Sequence, residues 1–339
     1  MENMKETSIE NIISLLPQLN ESRGYWFVRT NGGLYYDNFI EEGFIAIGYD
    51  EITLESIKMA HENKASGLLE LGNIVRDTYK KDEYRPNFVA SQLVKFSYEI
   101  KKGDIVLIPS ENSSRITFGE VSESAVFLQQ RLSFMPDVCP FVKRKKVDWI
   151  ETKSRDSLDP YLYKMFFSHQ AISDASQYGP YIDKAINSIF IKGDKAHLVL
   201  DVQTSDNIKA RDLFEYGTVT LELFDEFCKE ENLPYNSDQF DVKINVQSPG
   251  LIELAGLSID GIVYIGIILV AVTGGGFSLK TNAIDVSLKT DGIISKIQAF
   301  LKSRSNIKTK RKLIEKHTEQ LQIKNPEELV RVLDELNKD

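Results

Sequence analysis

The sequence is short of several residue types, and each shortage closes off a class of protein. Its two cysteines in 339 residues, Cys139 and Cys228, have no C-x-x-C spacing. They cannot build a disulfide scaffold or a thiolate zinc site. Four histidines, His61, His169, His197 and His317, stand far apart with no zinc-finger or H-E-x-x-H spacing, so no metal is expected. There is no G-x-S-x-G, P-loop or G-x-G-x-x-G motif, and Gly274-Gly275-Gly276 lacks the Lys-Ser/Thr of a phosphate loop. Ser168 and His169 are adjacent, but a nucleophile and its base need spatial geometry that adjacency does not supply. A chain without catalytic residues or cofactor is the expectation. Basic residues are also in deficit: the formal net charge is -9, which argues against a non-specific nucleic-acid coat.

What is present is an ordinary globular composition, 42% hydrophobic and 27% charged, long enough for two or three domains. Charge is uneven. Residues 1–150 carry net -4, residues 151–260 net -9 and residues 261–339 net +4. Between Lys296 and Lys316 there are eight Lys/Arg and one acid, Glu315, just after the most apolar part of the chain. A basic run beside an apolar one is a pattern of membrane-surface or nucleic-acid contact, or of a solvated helix face.

Met1 to Glu10 holds three Glu and does not read as a secretory signal, so a cytoplasmic location is expected. Thr7-Ser8-Ile9-Glu10 reads as a capping box for a short helix within residues 1–21. Residues 22–150 alternate strands and helices. Trp26 to Thr30 and Phe44 to Tyr49 read as strands, residues 53–80 as helix, and Pro86-Asn87 as a helix start. Ile105 to Pro109, Arg115 to Val121 and Lys146 to Ile150 follow as strands. Residues 151–247 read as a separate α+β middle domain, with a hairpin over residues 189–202 and a helix over 207–231. The fold class is therefore α+β.

Residues 248–339 form the last expected region. Gly261 to Leu279 runs nineteen residues without a charge, and as a helix would span ~28 Å, near the thickness of a bilayer core. The glycine triplet and the many β-branched residues fit a buried element equally well. Ile262, Ile265, Ile268, Leu269 and Val272 are the candidate membrane or self-association residues. A hairpin over Phe277 to Leu288 and an amphipathic helix from Gly292 complete the reading.

The order W-F-V-R, G-F-I-A-I-G-Y-D-E-I, K-K-G-D-I-V-L-I-P, R-I-T-F-G-E-V and K-K-V-D-W-I resembles the PUA/EVE-like domain at the N-terminus of Mrr-type restriction proteins and other prokaryotic defence proteins. The resemblance covers roughly residues 24–150. It implies a domain that holds a flipped or modified base in an aromatic pocket. Trp26, Arg29, Tyr49 and Trp149 are the candidate ligand-binding residues, with Tyr35-Tyr36 as a further stacking face. Lys143, Arg144, Lys145 and Lys146 are a candidate contact to a nucleic-acid backbone. The tail from Ser248-Pro249-Gly250 loosely resembles small defence effectors.

Three functions follow as expectations. The first is a non-enzymatic anti-phage defence protein. In it the PUA/EVE-like domain senses a nucleic acid or nucleotide, and the C-terminal module self-associates, engages a peripheral or inner-membrane surface, or meets other defence proteins. The second is a degenerate metal-dependent nuclease built on Asp194 and Asp201, in which Asp201-Val202-Gln203-Thr204 lacks the lysine of the PD-(D/E)xK pattern. The third is a scaffold subunit of a defence complex.

Overall fold

The computed structural model describes residues 8–80, 85–129, 138–204, 207–245, 250–273 and 292–336. The fold is α+β. In chain order the strands are β1 (Gln18–Leu19), β2 (Tyr25–Val28), β3 (Phe44–Ile47), β4 (Ile105–Pro109), β5 (Arg115–Val121), β6 (Phe127–Leu128), β7 (Lys143–Ser154), β8 (Ile172–Asp174), β9 (Ile189–Lys192), β10 (Lys195–Val202), β11 (Phe240–Asn245) and β12 (Gly250–Gly256). The α-helices are α1 (Ile9–Leu15), α2 (Tyr36–Glu42), α3 (Leu54–Glu62), α4 (Lys64–Tyr79), α5 (Pro86–Val94), α6 (Tyr163–Phe166), α7 (Gly179–Ile186), α8 (Ala210–Glu230), α9 (Ile259–Thr273), α10 (Ile293–Ser303), α11 (Ser305–Leu321) and α12 (Glu327–Leu336).

The chain divides into two compact units, Ser22–Ile186 and a second made of Met1–Glu21 with Asn187–Asp339. Boundaries at 150 and 247 therefore do not coincide with the structural ones, and the reason lies in the first unit's sheet. Its order is β3-β7-β5-β4-β2-β8, with β6 also paired to β7. β2 and β4 run parallel; the other pairs are antiparallel. Both β2 and β4 are apolar throughout and buried at every position, as expected of strands covered on both faces. Trp26, Val28, Val106 and Ile108 face a core closed by α2 to α5. Tyr25, Phe27, Ile105 and Leu107 face a second core closed by Leu158, Leu162, Met165, Phe166 and Ile182. Residues 151–186 thus complete β7, cover the sheet's other face from Leu158 onward and add the edge strand β8, rather than forming part of a middle domain.

Local signals agree with the chain's course. Pro86 opens α5 at its first turn. Gly43 ends α2 in the left-handed conformation (φ 67°), which glycine adopts without the Cβ penalty. The expected helix over 53–80 is broken at Asn63 into α3 and α4. α1 is capped by Ser8, which accepts from the Asn11 N–H at 3.4 Å; Thr7 lies outside the described residues.

The second unit has the sheet order β1-β9-β10-β12-β11. β1 joins it through a parallel pairing of Gln18 with Ile191, which ties the N-terminal segment to this unit. β9 and β10 form the expected hairpin. The apolar run as far as Thr273 becomes α9, and Ile262, Ile265, Ile268, Leu269 and Val272 are all buried within the unit's own core. α9 packs against α1, α8, α10, α11, α12 and strands β10 and β12. That corrects the reading of these five residues as a membrane or self-association surface: a helix walled by protein all round is uniformly apolar for the same reason as one in lipid. No helix among the described residues is long and apolar enough to cross a membrane. Residues 274–291, including the expected hairpin, lie outside the described residues.

The charge asymmetry is satisfied in part inside this unit. Lys310 pairs with Glu222 at 2.6 Å and Glu226 at 2.8 Å, Arg304 with Glu230 at 3.1 Å, and Lys296 with Glu231 at 3.3 Å. The acids belong to α8 or its cap and the bases to α10 and α11 or the cap between them, so two oppositely charged runs far apart in sequence face each other. Lys308, Lys312 and Lys316 remain exposed at four-residue spacing on α11.

Candidate functional site

Sequence-based candidates in the first unit separate into structural and available groups. Trp26 is buried, and its Nε1–H donates to Asp104 Oδ2 at 2.8 Å. Asp104 also accepts from the Gly24 and Lys101 N–H groups, which fixes the turns flanking β2 and β4. Arg29 donates to the Ser168 carbonyl at 2.9 Å, and its own N–H donates to the Ala171 carbonyl at 2.9 Å. These contacts fasten the 158–186 cover to the end of β2. Both residues thus hold the fold together.

Trp149 is half-buried. Its Nε1–H donates to the Phe39 carbonyl at 2.8 Å. Its ring lies over Gly119, where a Cβ would approach Trp149 Cε3 to 2.6 Å. Trp149, Gly119, Val106 and Trp26 form one cross-strand row. The two tryptophans therefore sit three strands, ~14 Å, apart and do not build one cage.

Tyr49 is different. It is a non-glycine residue in the left-handed region (φ 63°), two residues after the end of β3. That conformation costs about 1–2 kcal/mol for an L-residue with a Cβ. Its carbonyl accepts from Lys143 Nζ at 2.9 Å and from the Ile52 N–H at 3.1 Å. The neighbouring Asp50 Oδ1 accepts from the Val142 N–H at 3.1 Å. The Tyr79 ring, at the end of α4, meets Tyr49 edge-on with centroids 5.6 Å apart. On the other side, Phe141 lies against Gly48, where a Cβ would be 3.0 Å from Phe141 Cε1, and Tyr35 meets Phe141 edge-on at 5.5 Å. Four aromatic rings thus gather where β3 ends and β7 begins. Tyr79 and Phe141 carried no sequence signal, because α4 and the approach to β7 meet only in the fold.

The K-R-K-K run underlies this corner instead of lining a surface. Lys143, Arg144 and Lys145 are all buried, three successive residues of one strand. β7 is flanked there by β3 and β6, and both of its faces are covered. Arg144 stacks over the Phe44 ring at 3.9 Å and donates to the Phe141 and Cys139 carbonyls and to Glu42. Lys145 is 0% exposed, and its Nζ donates to the Ile100 carbonyl at 2.8 Å and to the Ser97 and Ser124 carbonyls. Only Lys146 faces solvent, paired with Glu123 at 2.8 Å. The first three are therefore not free to track a phosphate backbone. The cost of burying each charge is offset by aimed carbonyls.

Burial lowers the Lys145 pKa to about 8, with Asp104 opposing. Between pH 8 and 10 the unfolded lysine still binds its proton while the folded one releases it, so this residue makes stability rise with pH. Burial of Cys139, whose thiol is pushed up to about 11, acts in the opposite sense. The test is therefore a difference. Urea unfolding of wild type and Lys145→Met at pH 7.5 and 9.5 is expected to show wild type gaining on the order of 1–2 kcal/mol relative to the variant. Equal slopes would mean that Lys145 is not charged and buried at neutral pH.

Residues 28–175 match the family model of a domain of unknown function, DUF8426. The match lies inside the Ser22–Ile186 unit, covers less than half of the chain, and includes Tyr49, Phe141, Lys143 and Trp149. No curated protein and no solved structure matches the chain.

The nuclease residues do not converge. Asp194 sits in the β9–β10 turn and Asp201 near the far end of β10, roughly 20 Å away by strand rise. Asp201 Oδ2 accepts from Gln203 at 3.0 Å. Among the described residues no group of three His, Cys, Asp or Glu side chains could hold a metal ion.

Proposed function

We propose that the Ser22–Ile186 unit is a non-enzymatic sensor of a nucleobase or nucleotide, in a protein of prokaryotic anti-phage defence. The observation that carries this reading is Tyr49. A strained, half-buried aromatic residue is held by a buried lysine and meets the Tyr79 ring edge-on, while Phe141, itself met by Tyr35, lies against the preceding Gly48. Backbone strain at a residue whose surroundings over-determine it is a mark of a ligand-clamping position. Half-buried aromatic faces give a base a stacking partner. The resemblance of residues 24–150 to PUA/EVE-like domains supplies the ligand class and the defence role. The second unit then serves as effector or partner-binding part, with its apolar helix as core rather than as membrane anchor.

The test is fluorescence anisotropy of the full chain with single-stranded oligonucleotides carrying plain, methylated or hydroxymethylated cytosine. One stacked base contributes about 1–3 kcal/mol, so Tyr49→Ala is expected to weaken binding roughly 10- to 100-fold. Lys146→Ala, a solvated surface change, is expected to leave it within about twofold. Lack of binding to every probe at about 100 μM protein, or binding indifferent to Tyr49→Ala, would remove the reading.

A further inference from the structure

β11 is the outer strand of the second unit's sheet, and among the described residues its only strand neighbour is β12. The pairing is regular from Phe240↔Gly256 to Asn245↔Leu251, with no bulge to turn the edge away. Asp241, Val242, Lys243 and Ile244 are all exposed, and two of them are apolar: Val242 at 54% and Ile244 at 48%. Both lie on the face that carries Leu254 and Ile252 into the core, beyond the reach of the covering helices. Natural sheet edges are blunted by proline, bulges or inward-pointing charge. The only charge protection here, Asp241 and Lys243, sits on the opposite face.

We infer that this edge pairs with the same strand of a second copy, joining two five-stranded sheets into one of ten about a two-fold axis through Val242. Alternation of charge along F-D-V-K-I selects that register. Antiparallel pairing centred on Val242 sets Asp241 opposite the partner's Lys243, and Lys243 opposite the partner's Asp241. It sets Val242 against the partner's Val242, and Phe240 against the partner's Ile244. The next registers that keep the apolar face together, one on each side, set Asp241 against Asp241 or Lys243 against Lys243, and like charges directly opposite are unfavourable. Lys243 reaches Glu253 at 3.8 Å within its own chain but stays 67% exposed, so it retains donors for the partner's carboxylate. The interface is isologous, the commonest arrangement of homodimers. It is independent of the nucleotide reading, which concerns the other unit.

Phe240 anchors the strand from the other end. Its ring packs at 5.4 Å from Phe224 and fills the space over Gly256 and Gly261. Substitutions at 241 and 243 therefore leave the anchor untouched.

The experiment is sedimentation equilibrium of the full chain over a hundredfold concentration range. Wild type is expected to show a concentration-dependent dimer. Asp241→Lys and Lys243→Asp each place two like-charge pairs in the interface and are expected to raise the dissociation constant roughly tenfold; Lys243→Asp also sets an acid opposite Glu253 within its own chain, so Asp241→Lys is the cleaner single variant. The double swap Asp241→Lys/Lys243→Asp restores both pairs and is expected to return the constant to within about threefold of wild type. That recovery separates an interface effect from a folding defect. A wild-type monomer at every concentration overturns the proposal, as does a dimer indifferent to both single variants or a double swap weaker than either.

Discussion

Truncating the apolar helix is expected to behave as a core lesion and not as the loss of a lipid anchor. Ile265 and Ile268 are fully buried in the second unit, within a core that includes Leu198, Leu223, Phe227 and Phe300. Removing buried methylenes costs the transfer free energy plus the cavity left behind, about 2–5 kcal/mol for isoleucine to alanine. Ile268→Ala is therefore expected to lower unfolding stability by that amount. Ile268→Asp, which buries an unpaired carboxylate, is expected to prevent this unit from folding. Gly266 offers a complementary test, because a Cβ there would lie 2.7 Å from Leu329 Cδ2. Gly266→Leu is expected to destabilise by about 1–3 kcal/mol through overpacking of α9 against α12. Chemical unfolding measures all three. In liposome flotation, folded wild type and Ile268→Ala are expected to behave alike. An Ile268→Ala protein of unchanged stability that had lost lipid association would reverse the assignment of α9 to the core.

The second large effect is expected at Asp183. Its carboxylate is buried and accepts from the Arg23 guanidinium at 2.5 Å and from the Tyr25 hydroxyl at 2.6 Å. Arg23 is itself nearly buried, with its guanidinium 5.3 Å from the Tyr25 ring centroid. This cluster joins the entry to β2 with α7, which holds the sheet's second cover in place. Asp183→Ala leaves a desolvated guanidinium without its carboxylate, an arrangement that typically costs about 3–5 kcal/mol. Asp183→Asn keeps an acceptor for both donors and is expected to cost less. Arg23→Met/Asp183→Leu removes both charges and is expected to be more stable than Asp183→Ala alone, because the unpaired charge, not the missing attraction, dominates the single loss. Thermal unfolding of the four proteins decides the point. A double variant no better than Asp183→Ala would mean that Arg23 reaches solvent in the folded chain.

The match of residues 28–175 to DUF8426 falls on the same unit as these changes. A destabilised Asp183 variant should therefore lose ligand binding together with its fold, whereas Tyr49→Ala should lose binding alone. Measuring unfolding beside anisotropy separates the two.

Some of this protein was legible in the residues alone. Strands with unbroken apolar runs, Ile105 to Pro109 above all, announced themselves because a strand covered on both faces has no polar side. Pro86 marked a helix start, since that signal acts within one or two turns. The α+β class followed from alternating period-two and period-3.6 patterns. Tyr49 was singled out for its place beside a recognised strand, although its left-handed backbone had no signature in composition.

Other features were decided only by tertiary structure, wherever a local pattern has two physical meanings. Lys143-Arg144-Lys145 reads as a solvated patch because charges are usually solvated. Only the carbonyls of Tyr49, Cys139, Ser97, Ile100 and Ser124, brought together by the fold, make the interior tolerable for them. Gly261 to Thr273 is apolar on all sides, which lipid and a protein core reward equally; surrounding α9 with five helices and two strands settled the choice. The basic run at 296–316 reads equally as a contact for an external anion or as a solvated helix face; only in the fold do Glu222, Glu226 and Glu230 of α8 pair with Lys310 and Arg304, while Lys308, Lys312 and Lys316 stay exposed. Periodicity and composition report what a residue needs from its surroundings, whereas long-range packing determines which part of the chain provides it.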